Sequence, residues 1–126
     1  MTALITGSSG FIGGRLWTAL GMGEGIRVLS RKTGTAPDIA MGDLLEPDSL
    51  RAACDGVESV FHCAGHAHAF SSTDPDIHWR INYEGTCNLI EAAGEAGVRR
   101  FVFLSSVKAM AEPGDACADE DWPGEP

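Results

Sequence analysis

A glycine-spaced segment near the start of the chain constrains the fold most strongly. Residues 6–13, with the sequence TGSSGFIG, follow a short apolar run and open a stretch of helical periodicity. Gly7 would permit a tight turn, Gly10 would let a diphosphate approach the backbone, and Gly13 would let the helix pack closely. The free amides at the start of that helix, with its positive dipole end, favour an anion. The segment therefore predicts a phosphate-binding turn.

The spacing of three glycines alone is equally compatible with a plain glycine-rich turn. The position between a strand and a helix favours the phosphate site, because the motif acts in that context. A P-loop is excluded, since no Gly-Lys-Ser/Thr follows to supply the lysine for a terminal phosphate.

The rest of the chain alternates short apolar runs with helical segments. Strands are predicted at 3–6, 26–30, 38–41, 58–62 and 101–104. The buried faces of the three helices predicted between them are Ile12, Leu16, Ala19 and Leu20; then Leu50, Ala53 and Cys54 after Pro47; then Ile81, Gly85, Asn88, Leu89, Ala92 and Ala96. This alternation predicts an α/β fold with a doubly wound parallel sheet.

The length of 126 residues favours one compact domain. We place it at residues 1–111. Residues 112–126 contain six acids, three prolines and no Lys or Arg, so they predict an acidic, proline-containing loop.

Composition excludes several classes of function. A net charge of -9 argues against nucleic-acid binding, which needs clustered cations. No apolar run is long enough to cross a bilayer, and the start of the chain lacks a secretion signal, so we expect no membrane contact and a cytoplasmic location. Four scattered cysteines predict free thiols. His62, His66 and His68 are close in sequence, but no further ligand is fixed beside them, so no metal site is predicted.

Five segments then occur in one order: TGSSGFIG at 6–13, GDL at 42–44, VFHCAG at 60–65, NYEGT at 82–86 and FVFLSS at 101–106. Together they resemble the extended branch of the short-chain dehydrogenase/reductase superfamily, the NAD-dependent epimerase/dehydratase family. Within it, bacterial UDP-hexose 4-epimerases are the most similar group. The resemblance spans residues 3 to about 110, and it implies a Rossmann fold truncated before the C-terminal substrate lobe.

The resemblance implies an NAD or NADP site and assigns residues to it. Asp43 would accept a hydrogen bond from the adenine amino group and Leu44 would contact the ring, although Asp43 could also be an acid that favours the nearby helix start. Asn82 would lie near the active site, or it could bond a neighbouring carbonyl as an ordinary helix asparagine. The other implied cofactor-binding residues are Gly7, Ser9, Gly10, Phe11, Ile12, Gly13, Arg31, Cys63, Ala64 and Gly65.

The end of the second strand bears on the choice of dinucleotide. An NAD-preferring site usually places an acid there to bind the ribose 2'-hydroxyl, and this chain has Arg31 and Lys32 instead. Arg31 could pair with a 2'-phosphate through its planar donor fork, which favours NADP over NAD; the alternative is a pair of solvated surface cations.

Ser106 matches the catalytic serine of the family, which works with a Tyr and with a Lys four residues later. The cation matters because a phenol with a pKa near 10 is a poor base until its phenolate is stabilised. The only tyrosine here is Tyr83, and Cys87 stands four residues after it. We therefore expect the Tyr and Lys beyond Pro126, and we expect this chain to bind the cofactor without turnover.

The resemblance implies hydride transfer at a hexose carbon of a nucleotide sugar, with this chain as the cofactor-binding fragment. Two alternatives remain open: a ketone or aldehyde reductase of the same branch that acts on another small molecule, and a non-catalytic dinucleotide-binding regulator. A homodimer of the longer protein is also left open.

Overall fold

The computed structural model describes residues 2–21, 25–32, 34, 38–66 and 74–123. Five parallel strands form one sheet in the order β3-β2-β1-β4-β5. The strands are β1 (Ala3–Thr6), β2 (Ile26–Ser30), β3 (Ile39–Met41), β4 (Ser59–His62) and β5 (Arg100–Phe103). The helices are α1 (Phe11–Leu20), α2 (Pro47–Cys54) and α3 (Gly85–Glu95). The predicted doubly wound fold is confirmed, with strand ends within one residue of those expected.

The strand order reverses between β1 and β4. The chain first builds outward from β1 to β2 and β3, and then returns to place β4 on the other side of β1. In this register Thr6, the last residue of β1, lies opposite His62, the last residue of β4. An open parallel sheet binds its ligands where the order reverses, outside the carboxyl ends of the strands.

The core lies in two layers, one on each face of the sheet. Leu4 faces α2 and α3, where it packs with Leu50 and Leu89. Ala3 and Ile5 face the side that α1 covers. Because successive strand residues point to opposite faces, β1 serves both layers, and all four of its residues are fully buried.

The predicted buried face of α1 was partly wrong. Ile12 is 55% exposed and Ala19 is also exposed, whereas Leu16, Trp17 and Leu20 contact the apolar layer. Gly13 is the one fully buried residue of the helix. A glycine permits the closest approach, so the helix turns Gly13 inward and its contact row becomes 13, 16, 17 and 20.

The last predicted helix divides into two parts. A π-helix at Trp79–Glu84 precedes α3, in which Gly85, Leu89, Ala92 and Ala93 are buried. Gly85 packs against the loop after β3, because a Cβ added at Gly85 would lie 2.9 Å from the Leu44 Cβ. A wider turn of this kind is frequent beside functional sites.

The chain after β5 forms a short 3-10 helix at Val107–Ala109 and then no helix or strand through residue 123. The stretch closes on itself, because the Trp122 Nε1–H donates to the Ala111 carbonyl at 2.8 Å. The final three residues of the predicted loop lie outside the described residues, and the domain boundary at residue 111 stays a prediction. All four cysteines are unpaired, as expected. Within the described ranges, no helix combines the length and apolar character that a membrane crossing requires.

Candidate functional site

A crevice opens at the carboxyl ends of β1, β2, β3 and β4, where the strand order reverses. It brings together nine of the thirteen residues predicted to bind a cofactor. Those nine are Gly7, Ser9, Gly10, Arg31, Asp43, Leu44, Cys63, Ala64 and Gly65. Thr6, Ser8, Leu29, Ser30, Lys32, Gly42, His66, Ile77 and Ile81 complete the lining. Phe11, Ile12, Gly13 and Asn82 lie outside it.

Gly7 occupies a position that no other residue fits. Its φ is +72°, in the left-handed region, and an added Cβ would lie 2.6 Å from the Ala64 amide nitrogen. The Gly10 amide donates to the Gly7 carbonyl at 2.9 Å and closes the turn. The turn is thereby held against the loop after β4 by contacts between backbone atoms, and a single methyl group would separate them.

Gly13 packs against the turn itself. An added Cβ there would come 2.7 Å from the Gly7 carbonyl carbon and clash with the attached oxygen. The expectation from sequence was close packing of this helix on the sheet, and the structure shows that the tightest contact is with the turn in front of it. Gly10 differs, because an added Cβ would meet only the Gly7 carbonyl oxygen at 3.2 Å and otherwise enter open space.

The start of α1 presents free amide groups beside the crevice. Gly10 is the N-cap and supplies no side-chain cap, and the first helical bond runs from the Gly14 amide to the Gly10 carbonyl at 3.0 Å. The amides of Phe11, Ile12 and Gly13 therefore precede the helical ladder, and the first turn has no acidic residue. Because the Phe11 and Ile12 side chains point into solvent, any contribution they make to binding is through the backbone.

Arg31 and Lys32 follow β2 at the rim of the crevice, and both are exposed. The Ser30 hydroxyl orders this bend, since it accepts from the Lys32 amide and donates to the Lys32 carbonyl, both at 3.1 Å. No acid occupies the end of β2, as the sequence already indicated.

Asp43 is half-buried after β3, and its Oδ1 accepts a hydrogen bond from the Leu45 amide at 2.9 Å. The N-cap of α2 is Glu46, three residues after Asp43, and no side chain caps this end, so the alternative role of Asp43 as an acid that favours the helix start stays a prediction. Leu44 is 8% exposed, and its carbonyl accepts from the Asn88 side chain at 2.9 Å. Because the Asp43 amide also donates to the Ser49 hydroxyl of α2 at 3.0 Å, this turn is fixed to both α2 and α3.

The loop after β4 is held at two points. The Ala64 amide donates to the Thr6 hydroxyl at 3.1 Å. The Asn82 side chain accepts from the His66 amide at 2.7 Å and donates to the His66 carbonyl at 3.0 Å. Asn82 thus anchors the loop. The alternative prediction, a helix asparagine that bonds a neighbouring carbonyl, accounts for the bond to the His66 carbonyl but not for the bond from the His66 amide. Burial raises the pKa of the Cys63 thiol, which disfavours a thiolate nucleophile.

Sequence reasoning missed the roles of Thr6, His62 and Thr86. His62 is fully buried, with Nδ1 2.6 Å from the Thr6 hydroxyl and Nε2 2.9 Å from the Thr86 hydroxyl. Burial lowers its pKa from 6.5 to about 4. The available signal was a histidine inside an apolar run, in register with a threonine of the first strand. His68 lies outside the described residues.

Ser106 follows β5 at the same edge of the sheet, where it is exposed and its carbonyl accepts from the Ala109 amide at 2.9 Å. Tyr83 is 54% exposed and stacks on Trp79, with ring centroids 4.3 Å apart. Tyr83 is thus a surface residue that packs on a neighbouring ring of the same π-helix.

Comparison with known proteins places this arrangement in a family. The sequence pattern of the NAD dependent epimerase/dehydratase family matches residues 3–126. A relative described as sterol demethylase protein B, from Methylococcus capsulatus, is 35% identical over 97% of this chain. A UDP-glucose 4-epimerase from Vibrio cholerae is 31% identical over 86% of it. A crystal structure of a short-chain dehydrogenase/reductase superfamily protein from Agrobacterium tumefaciens with bound NAD aligns over the whole chain at 34% identity, with a TM-score of 0.85.

The chain spans 39% of the length of the sterol demethylase protein, 36% of the epimerase and 39% of the aligned crystal structure. The match covers the sheet, the glycine turn and the crevice described above. The chain therefore belongs to the NAD dependent epimerase/dehydratase family, a family of NAD-dependent enzymes of the oxidoreductase type.

Proposed function

We propose that this chain forms the dinucleotide-binding part of an enzyme that moves a hydride to and from a bound substrate. The observation that carries the proposal is the turn at residues 6–13. The backbone of Gly7 lies so close to Gly13 and Ala64 that neither Gly7 nor Gly13 has room for a side chain. A side chain at Gly10 would instead face open space at the start of α1. Such a cradle suits a diphosphate, which binds to helix N-terminal amides.

Other residues in the crevice and beside it fit the parts of a dinucleotide. Asp43 and Leu44 would hold the adenine, the amides of Phe11, Ile12 and Gly13 would hold the diphosphate, and residues 63–65 would lie beside the nicotinamide. Bound there, the nicotinamide would supply the hydride chemistry, and the protein would position it and limit access of water.

We propose a preference for NADP over NAD. Arg31 and Lys32 are exposed at the rim after β2, where an NAD-preferring site would carry an acid. A guanidinium there can form two parallel hydrogen bonds to a 2'-phosphate. The similar crystal structure from Agrobacterium tumefaciens contains NAD, so the preference for NADP is proposed for the present chain alone.

For the whole protein we propose an epimerase or dehydratase that acts on a nucleotide sugar, with Ser106 holding the substrate hydroxyl. The similarity to the UDP-glucose 4-epimerase supports this substrate class. A second candidate is an oxidoreductase that acts on a sterol-like alcohol or ketone, which the similarity to sterol demethylase protein B favours. Nucleotide-sugar and hydroxysteroid oxidation, each assayed with the gene product that contains this chain, would separate the two.

The proposed binding is tested by calorimetric titration of the chain with NADP and NAD. In Gly10→Val the new side chain enters the open space that the diphosphate would occupy, so we expect binding to weaken at least tenfold. Gly94→Val is the matched control, because an added Cβ at Gly94 meets no atom within 4 Å. Both variants should unfold thermally near the wild type. Equal binding by Gly10→Val and wild type, or a folded wild type that binds neither dinucleotide at millimolar concentration, would contradict the proposal.

A further inference from the structure

A chain of hydrogen bonds, buried at its centre, crosses the site beneath the crevice. It passes through His62, which lies at the end of β4 and is fully buried. On one side its Nδ1 is 2.6 Å from the hydroxyl of Thr6, the residue directly before the glycine turn. On the other side its Nε2 is 2.9 Å from the hydroxyl of Thr86 in α3. The imidazole thus joins the end of β1 to α3.

The positions of the protons follow from the partners. The Thr86 hydroxyl donates its single hydrogen to the Asn82 carbonyl at 2.7 Å. Its oxygen can therefore only accept from His62, which places the imidazole proton on Nε2. Nδ1 is then an acceptor, and its donor is the Thr6 hydroxyl. The Thr6 oxygen in turn accepts from the Ala64 amide at 3.1 Å.

The result is one directed series from the Ala64 amide to the Asn82 carbonyl, in which every polar hydrogen is used once. The surroundings favour the neutral imidazole that this series requires. The ring of His62 lies near the rings of Phe101 and Phe103, with centroids 6.1 Å and 5.7 Å away. An imidazolium would present a second N–H to Thr6 and leave the Thr6 hydroxyl hydrogen without this acceptor.

Both ends of the series reach the loop that borders the turn. Ala64, at one end, is the residue against which Gly7 packs. Asn82, at the other end, holds the amide and carbonyl of His66 through its side chain. The spacing between the glycine turn and residues 63–66 therefore depends on the series being intact.

We propose that His62 is a positioning residue for dinucleotide binding: as the neutral Nε2–H tautomer, it couples the glycine turn to the helical segment that carries Asn82. The effect on affinity depends on the proposed function, whereas the tautomer and the coupling are properties of the chain itself. None of Thr86, Phe101 or Phe103 is among the residues that line the crevice. An effect of Thr86 on the dinucleotide would therefore be indirect, through His62 or through the Asn82 carbonyl that Thr86 also bonds, and the two routes are separated by the third arm below.

The first arm of the test needs no dinucleotide. Nitrogen-carbon correlation spectra of the labelled chain at neutral pH report which imidazole nitrogen of His62 carries the proton. We expect a single neutral form with the proton on Nε2. A proton on Nδ1, a mixture of the two forms, or an imidazolium would overturn the proposal whatever the chain binds.

The second arm measures dinucleotide affinity in a variant that breaks the series at Thr86, a residue that does not line the crevice. Thr86→Val should raise the dissociation constant about fivefold, the effect expected for losing one partly buried hydrogen bond that orders a site. Thr18→Val is the control, because Thr18 makes the same hydroxyl bond to the carbonyl four residues earlier, at 3.0 Å, but lies on α1 outside the series. Equal dissociation constants for Thr86→Val and wild type would overturn the coupling.

The third arm separates positioning from core stability. His62→Asn keeps an acceptor near Nδ1, and His62→Gln keeps a donor near Nε2, whereas His62→Leu keeps neither. We expect each polar variant to bind the dinucleotide more tightly than His62→Leu does. Adding Thr86→Val to His62→Leu should change the dissociation constant little, because the series is already broken. If Thr86→Val weakened binding as much in His62→Leu as in wild type, the effect would not pass through the imidazole. A wild-type chain that binds neither dinucleotide contradicts the proposed function, and the tautomer is still decided by the first arm.

Discussion

The glycine turn at residues 6–13 and the region of β5 and the residues after it are packed in different ways. Around Gly7 the contacts are between backbone atoms that a single carbon would separate. Along β5 and after it, apolar side chains face solvent: Val102 is 42% exposed, Phe103 50% and Val107 83%. The part of the crevice proposed for the diphosphate is therefore fixed by backbone contacts. The β5 region, which leads to Ser106, is packed less closely, because its apolar side chains face solvent. Substitutions should be costly in the first region and mild in the second.

The largest effect is expected for Gly7→Ala. The left-handed conformation costs about 1–2 kcal/mol for a residue with a Cβ, and the clash with Ala64 adds about 1–3 kcal/mol of overpacking. Gly97→Ala is the control, since Gly97 has a similar φ of +74° with nothing within 4 Å of the added carbon. Urea unfolding should show the larger loss for Gly7→Ala. Equal losses for the two variants would mean that the turn is not tightly packed.

The next effect is a dependence of stability on pH that His62 causes. Burial lowers its pKa in the folded chain to about 4, from the ordinary histidine value of 6.5. The unfolded chain therefore takes up a proton first as the pH falls, and the free energy of unfolding should drop by about 3 kcal/mol across this window. The side chains described around the ring, Thr6, Thr86, Phe101 and Phe103, carry no charge in this range.

Urea unfolding of wild type and His62→Asn near neutral pH and near pH 4 measures the contribution of His62 by difference. The difference in stability between wild type and variant should shrink as the pH is lowered through the window. A difference that stays constant with pH would show that His62 is not held neutral by the fold.

Gly13→Ala should have a smaller effect on stability, because the helix gains about 1 kcal/mol from replacing glycine and loses about 1–3 kcal/mol to the clash with the Gly7 carbonyl. Its effect on dinucleotide affinity should be larger than its effect on stability, since the turn must shift. Gly94→Ala, where the added carbon meets no atom within 4 Å, should only stabilise. Unchanged affinity in Gly13→Ala would count against the turn as the diphosphate site.

Arg31→Ala tests the preference between the two dinucleotides. A charge-assisted hydrogen bond contributes roughly 1.5 kcal/mol or more, so NADP affinity should fall about tenfold while NAD affinity changes little. Parallel titrations with NADP and NAD measure the ratio. Equal losses for both, or none, would indicate that Arg31 is a solvated surface cation.

The smallest effect is expected on the other side of the comparison. Val107 is 83% exposed, so Val107→Ser should change the free energy of unfolding by less than about 0.5 kcal/mol. A larger loss in urea unfolding would show that the β5 side is packed as tightly as the turn, and the contrast between the two regions would fail.

The same contrast explains how much could be predicted from sequence. The strands and the turn were predictable because short apolar runs and glycine spacing are local signals. The face of α1 was mispredicted because apolar spacing favours Ile12 and Ala19, and it gives no weight to a glycine that must lie closest to the turn. The partners of His62 lie more than twenty residues away along the chain, and no local pattern contains such contacts.

The central claim is that the amides at the start of α1 hold the diphosphate of a dinucleotide. An amide-resolved NMR titration of the labelled chain with NADP tests it directly. We predict saturable shifts that are largest for residues 8–13, with smaller ones at Asp43 and Ala64. Shifts concentrated elsewhere, such as in residues 107–123, or no shifts at all in a folded chain, would contradict the account.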